Sequence, residues 1–142
     1  SLCGAGQRLG YIVADPEQVN IVTTVKNSVN HFPIDALSQV SGKAACTDVA
    51  YYVETSKKVV EERDKLYDFL SKKGFYVIKS QTNFLFAKHP SISGEELYKM
   101  IKDEGLLIRH FATPGIENFV RISIGSKEEM QALKEAFEKV IK

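Results

Sequence analysis

An arginine on a glycine-rich turn lies near the start of this sequence. Residues 4–10 read GAGQRLG, and the apolar run YIVA follows at residues 11–14. Backbone N–H groups of a small-residue turn and a planar guanidinium can converge on one phosphate group. We therefore expect Arg8 to bind a phosphate, with residues 11–14 forming a strand directly after the turn.

A second arginine lies inside an alternating apolar segment. Residues 119–125 read FVRISIG. Alternation along a strand places Arg121 and Ser123 on one face and the apolar residues that flank them on the other. A strand holds such a guanidinium rigidly, which suits a carboxylate. The pattern alone leaves two alternatives open, because an exposed strand arginine or one half of an internal ion pair would look the same.

The elements around Arg121 follow from the hydrophobic period. Strands are predicted over 75–78, 84–87, 106–109 and 119–124. Helices are predicted over 94–103 and from residue 127 to residue 140 or 141, each after a serine with glutamate three positions later, which is a capping box. The order β-β-α-β-β-α indicates a compact α/β sandwich. We expect the apolar aromatic residues of the first two strands (Phe75, Tyr76, Phe84 and Phe86) to belong to its core, with no basic residues interleaved.

The region before residue 74 is predicted to be mainly helical. Asp15 followed by Pro16 starts a helix that ends near Asn30, and a loop and a short helix follow within 30–46. Residues 47–73 form the longest amphipathic pattern and end at a glycine. The strand at 11–14 has no partner in its own region, so we expect residues 1–46 to be a remnant of a larger domain.

Composition excludes several classes of protein. The 142 residues carry 19 basic and 18 acidic side chains, a net charge of +1, which gives no electrostatic argument for binding nucleic acid or an anionic membrane. No apolar run approaches the roughly 20 residues that span a bilayer. Cys3 and Cys46 are too few for a disulfide framework or a metal site, which favours reduced cysteines in a cytoplasmic protein.

Separated motifs resemble one enzyme family in the family's own order. Residues 4–11 resemble the stretch that follows the cofactor lysine in fold-type I pyridoxal-phosphate aminotransferases. The string IRHF at 108–111, Pro114, and FVRISIG at 119–125 resemble the C-terminal signature of histidinol-phosphate aminotransferases. QTNF at 81–84 is similar to a turn and strand of the family's small domain. The chain resembles the C-terminal portion of such a class I/II enzyme almost end to end.

The resemblance implies a role for each arginine. The arginine matching Arg8 binds the cofactor phosphate, and the one matching Arg121 binds the substrate α-carboxylate. The one matching Arg109 lies near the distal phosphate end of the substrate, although a strand-end arginine in solvent is an equally simple interpretation. The family's cofactor-binding lysine would precede Ser1, so no catalytic residue and no metal ligand is expected among these residues.

The resemblance also implies a domain organisation and a reaction. Residues 1–46 would be a remnant of the large cofactor-binding domain, 47–73 a long interdomain helix, and 74–142 the small C-terminal α/β domain. The parent enzyme would be a cytoplasmic homodimer of histidine biosynthesis. With pyridoxal 5'-phosphate it would transfer an amino group from L-histidinol phosphate or a similar amino donor to a 2-oxo acid such as 2-oxoglutarate. We expect the 142 residues alone to be inactive and to self-associate through apolar surface.

The sequence departs from the family pattern at two glycines. Gly4 stands where the family usually has leucine, a change that affects packing. Gly115 follows Pro114 where many members carry arginine, which removes a possible anion contact and weakens the case for a phosphorylated substrate. Two other functions stay open at this point. One is a pyridoxal-phosphate-dependent decarboxylase of phosphorylated amino acids from the same superfamily, and the other is a non-enzymatic ferredoxin-like binding module.

Overall fold

The computed structural model describes Gly6 and residues 8–141, and these divide into two compact units after Glu54. No helix in this described part is long and apolar enough to cross a membrane.

The first unit consists of helices. α1 spans Pro16–Val29, and the Asp15 carboxylate caps it by accepting from the Glu17 N–H. α2 spans Ala36–Thr47, capped in the same way by Asp35. α3, which spans Val49–Lys72, begins in this unit. These helices confirm the predicted ones, but none of the described residues up to Glu54 is buried.

The strand predicted over residues 11–14 is wrong. That segment carries neither helix nor strand. A strand exists only when its backbone N–H and C=O groups find a neighbouring strand, and no described segment of the first unit is a strand. Residues 11–14 therefore have the apolar composition of a strand, but no described strand of this unit pairs with them.

The second unit, from Thr55 onwards, contains one antiparallel sheet. Its strands are β1 (Tyr76–Ile78), β2 (Phe84–Lys88), β3 (Arg109–His110) and β4 (Val120–Ser123), in the spatial order β1-β2-β4-β3. α4 (Gly94–Asp103) and α5 (Lys127–Val140) complete the predicted β-β-α-β-β-α order. The mixed α/β fold with a long preceding helix is confirmed.

Local sequence signals fix the ends of these elements. α3 stops at Gly74, whose φ of +84° suits glycine, and the Phe75 N–H donates to the Leu70 carbonyl at 3.1 Å. The Ser93 hydroxyl accepts from the Glu96 N–H at the start of α4. Ser126 and Glu129 form a reciprocal capping box at the start of α5, as predicted.

The core lies between one face of the sheet and the helices. The strands contribute Val77, Leu85, Ala87, Val120 and Ile122, and the helices contribute Leu66, Leu70, Leu97, Ile101, Met130, Leu133 and Phe137. Because side chains alternate along a strand, the opposite sheet face carries a different set of residues. That second face, which we call the outer face, bears the arginines.

Candidate functional site: two arginines on the outer face

Arg121 lies in β4 on the outer face. Its neighbours Val120 and Ile122 are buried in the core, whereas Arg121 is half-buried and Ser123 is exposed, as the alternation predicted. Among the residues that the structure describes, Arg121 makes no ion pair, so the alternative of an internal ion pair is excluded for this part of the chain.

The Arg121 guanidinium has an unmet hydrogen-bonding requirement. Its Nε atom is buried and has no hydrogen-bond partner among the described residues. A buried donor without an acceptor costs about 1–3 kcal/mol, more when the group is charged. A ligand with an oxygen acceptor at this position would remove that cost.

Aromatic rings hold this guanidinium in place. The Arg121 Cζ atom lies 5.3 Å from the centre of the Phe84 ring and 5.8 Å from the centre of the Phe111 ring. A guanidinium over an aromatic face is attracted by the ring quadrupole. The rings form no conventional hydrogen bond with the Arg121 guanidinium. They therefore orient the guanidinium and leave its N–H groups available to a ligand.

Arg109 lies beside Arg121 on the outer face. It pairs with Arg121 across β3 and β4, so both side chains stand on the outer face, and its Cζ atom lies 5.4 Å from the centre of the Phe111 ring. Like charges directly opposite on neighbouring strands repel each other. An anion shared by the two arginines would turn this repulsion into attraction.

The arginines open onto a pocket of about 440 Å³. Its lining combines cations, an imidazole, a phenol and apolar side chains: Tyr98, Leu107, Ile108, Arg109, His110, Arg121 and Ser123. The nearby Glu95 is already engaged, because the Lys99 ammonium donates to it at 2.7 Å and holds the pKa of its carboxyl below the ordinary value. Among the described residues, Glu95 forms its ion pair with Lys99 and none with the two arginines.

The loop that follows β3 packs closely against the start of α4. The His110 Nε2 atom lies 2.8 Å from the Glu117 carbonyl oxygen. A Cβ on Gly94, at the start of α4, would stand 2.6 Å from that same oxygen, so only glycine fits there. Gly115 adopts a φ of +90°, which lets the loop turn back toward β4.

Arg8 lies in the first unit, and part of its turn falls outside the described residues. Residues 1–5 and 7, including Gly4, are not described. Arg8 itself is exposed in a turn and has a φ of +57°, a left-handed conformation that is uncommon for a residue other than glycine. Among the described residues it makes no ion pair, so its guanidinium is available to an anion.

Comparison with known proteins identifies the family. The model for "Aminotransferase class I and II" matches residues 1–137, nearly the whole chain. The chain belongs to the class I and II aminotransferase family. The histidinol-phosphate aminotransferase of Clostridium beijerinckii is 40% identical to this aminotransferase chain over 131 residues, which cover 92% of the chain and 37% of that relative.

Solved structures agree with this assignment. The histidinol-phosphate aminotransferase of Clostridium acetobutylicum superimposes with a TM-score of 0.85 at 25% identity, over 97% of this chain and 42% of that one. The Sinorhizobium meliloti enzyme, solved in complex with pyridoxal-5'-phosphate, gives a TM-score of 0.79 at 25% identity, over 96% of this chain and 37% of that one. The chain thus spans well under half the length of the aminotransferases that it matches.

The aromatic part of this candidate site differs from what the sequence predicts. The expectation that the aromatic residues of the first two strands are core holds for Phe75 and is wrong for Tyr76, which is exposed, and for Phe84 and Phe86, which are half-buried on the outer face. The expected absence of interleaved basic residues is also wrong, since Lys88 lies over the Tyr76 ring and Arg121 over the Phe84 ring.

One signal in the sequence could have revealed Phe111. Arg109 and Phe111 are two residues apart, which is the spacing that puts side chains on one face of an extended segment. That spacing predicts that the Phe111 ring lies beside Arg109, but it does not predict the contact with Arg121.

Proposed function

We propose that this chain supplies the substrate-binding arginines of a pyridoxal-phosphate-dependent histidinol-phosphate aminotransferase. The amino group would pass between L-histidinol phosphate, or a similar amino donor, and a 2-oxo acid such as 2-oxoglutarate. The observation that carries the proposal is the half-buried Arg121 guanidinium, whose buried Nε has no partner among the described residues. The 40% identity to the Clostridium beijerinckii enzyme supports the choice of reaction.

Arg121 would bind the α-carboxylate of amino and 2-oxo acid substrates. A guanidinium can donate parallel N–H bonds to the two oxygens of a carboxylate, which fixes the substrate in position and angle. Rigid placement of a substrate removes part of the entropic barrier to reaction. The rings of Phe84 and Phe111, which lie 5.3 and 5.8 Å from the Arg121 Cζ atom, would restrict the orientation of the guanidinium at the pocket.

Arg109 would meet the distal phosphate of the substrate. It is exposed at the pocket and lies across the strand pair from Arg121, so the two cations can contact both ends of a substrate or one highly charged group. Gly115 offers no side chain to that phosphate, so Arg109 would be the principal cation for it among the described residues of the pocket.

Arg8 would bind the phosphate of the cofactor. Its left-handed turn and its unpaired state among the described residues fit this role. When bound, pyridoxal phosphate supplies the electron sink for charge that develops on the substrate carbon. The chain's own contribution is to bind and orient anions.

The organisation of the whole protein is part of the proposal. Residues 1–46 would belong to the large cofactor-binding domain, 47–73 to the interdomain helix and 74–142 to the small domain of a cytoplasmic homodimer. The 142 residues alone would neither hold the cofactor tightly nor catalyse. An absorbance band typical of protein-bound pyridoxal phosphate in a mixture of this chain and the cofactor would contradict that part.

The reaction is tested in the full-length protein that contains these residues. L-histidinol phosphate and 2-oxoglutarate should be substrates, and Arg121→Gln should lower kcat/KM by about 100-fold or more because a charged hydrogen-bonded contact contributes about 3 kcal/mol. Arg63→Gln is the matched control, since Arg63 is also half-buried but already pairs with Asp64. Carbon dioxide release without amino transfer would indicate the decarboxylase instead, and equal losses in both variants would refute the role of Arg121.

A further inference from the structure

Phe111 is the residue that the two arginines share. Its ring centre lies 5.4 Å from the Arg109 Cζ atom and 5.8 Å from the Arg121 Cζ atom. Phe84, by contrast, is in contact with the Arg121 guanidinium only, among the described cations. A single ring therefore stabilises two like charges that the pairing of β3 with β4 forces together.

The Phe111 ring is itself held by other rings. It contacts Phe86 edge to face at 6.1 Å between ring centres, and Phe86 stacks on Phe119 at 4.6 Å with the planes 7° apart. Offset and edge-to-face contacts of this kind each favour one geometry. The position of the Phe111 ring is thus set by its direct neighbour Phe86, and Phe119 lies one ring further from the arginines.

We propose that Phe111 is a positioning residue that fixes the separation and orientation of the Arg109 and Arg121 guanidinium groups. This inference rests on the proposed function only for its consequence, which is the affinity for anionic substrates. Without the ring, the two cations would move apart by repulsion, and each would lose the surface that aligns its N–H edge. Phe111 would then act on anion binding through the arginines, without touching the ligand.

The variants follow from this geometry. Phe111→Leu keeps an apolar side chain of similar reach and removes the ring, whereas Phe111→Tyr keeps the ring and should rescue the effect. Phe119→Leu is the matched control, because it removes a ring from the same face that contacts neither arginine. Thermal unfolding of each variant establishes that the fold is retained.

The primary readout needs no ligand. Arginine side-chain ¹⁵Nε relaxation in the 142-residue chain reports how rigidly each guanidinium is held. Phe111→Leu should lower the order parameters of both Arg109 and Arg121, while Phe111→Tyr and Phe119→Leu should leave them near the wild-type values. Unchanged order parameters in a folded Phe111→Leu variant would overturn the inference, whatever the enzyme's substrate proves to be.

The second readout joins the inference to the proposed function. Titration with inorganic phosphate, followed by the same Nε–H signals, should show roughly tenfold weaker binding in Phe111→Leu and near wild-type binding in Phe111→Tyr. If Arg121→Gln binds phosphate as well as the wild type does, the proposed anion site fails while the positioning result stands. If Arg121→Gln weakens binding and a folded Phe111→Leu does not, the role of Phe111 is refuted.

Discussion

The helices of the two units have equally clear N-terminal caps, but they differ in how much apolar surface they bury. α1 and α2 begin at aspartate caps, and α4 and α5 begin at serine caps, so every one of them has a clear start signal. α4 and α5 bury apolar side chains in the core, whereas the described residues up to Glu54 bury none. Caps and propensity determine where a helix forms, and burial determines how stable it is.

Several large apolar residues of the first unit are exposed. Tyr11 is 85% exposed and Phe32 is also 85% exposed, and an open groove lined by residues such as Tyr11, Ile12, Val19 and Val22 has an apolar lining. Such surface is typical of a region whose partner lies on another segment or another molecule. The second unit, by contrast, has a core of its own.

The largest expected contrast concerns the core. Phe137 is fully buried in the second unit, so Phe137→Ala should lower the free energy of unfolding by about 3–5 kcal/mol. Val25, on an exposed position of α1, should tolerate Val25→Ala within about 0.5 kcal/mol. Urea unfolding followed by circular dichroism measures both. Similar losses for the two variants would contradict the prediction and would show that Val25 contributes to a packed core.

The next contrast concerns association. If the apolar groove of the first unit pairs with a second copy, Val22→Asp should weaken the dimer about tenfold or more by placing a charge in it. Light scattering over a dilution series gives the dissociation constant. Lys127→Asp, a charge change at an exposed position of α5, is the control. A wild-type chain that is monomeric at every concentration would contradict the prediction.

A smaller effect is expected when a helix cap in each unit is removed. Ser126→Ala removes the cap of α5, which packs on the core, and should cost about 1 kcal/mol of unfolding free energy. Asp35→Ala removes the cap of α2, which buries nothing, and should unwind that helix locally while the unfolding midpoint of the second unit stays the same. Loss of stability from both changes would mean that the units fold as one.

The smallest effect concerns pH. Hydrogen bonds from the Ser38 backbone N–H and hydroxyl hold the pKa of Asp35 below its usual value of 3.8. A carboxyl with a depressed pKa stabilises its helix fully above the unfolded-state value and loses that stabilisation as pH falls through the lower, folded-state value. Helical chemical shifts at residues 36–40 should therefore decline on acidification below about pH 4, and Asp35→Asn should abolish this dependence.

Much of the fold could be predicted because its signals are local. The capping box at Ser126, the stop at Gly74 and the alternation around Arg121 each depend on a few adjacent residues, and each is present in the structure. The family resemblance then pointed to the arginines. Two distant motifs in the right order carried more information than either motif alone.

The predictions that were wrong or incomplete concern contacts between segments that are distant in the sequence. Residues 11–14 have the composition of a strand but no described strand to pair with. Phe84 and Phe86 alternate correctly with Leu85, but a short apolar run does not reveal which of its faces is buried. The contact of Phe111 with Arg121 arises only after a loop returns the chain to β4, and no local pattern records it.

The proposed role of Arg121 as the anchor of the substrate carboxylate can be examined in a crystal structure of the full-length protein with pyridoxal phosphate and L-glutamate. In that structure the glutamate α-carboxylate should accept hydrogen bonds from the Arg121 Nε and Nη atoms at about 2.7–2.9 Å, so that the buried Nε gains its partner. A glutamate bound elsewhere, with Arg121 Nε still unpartnered, would contradict it.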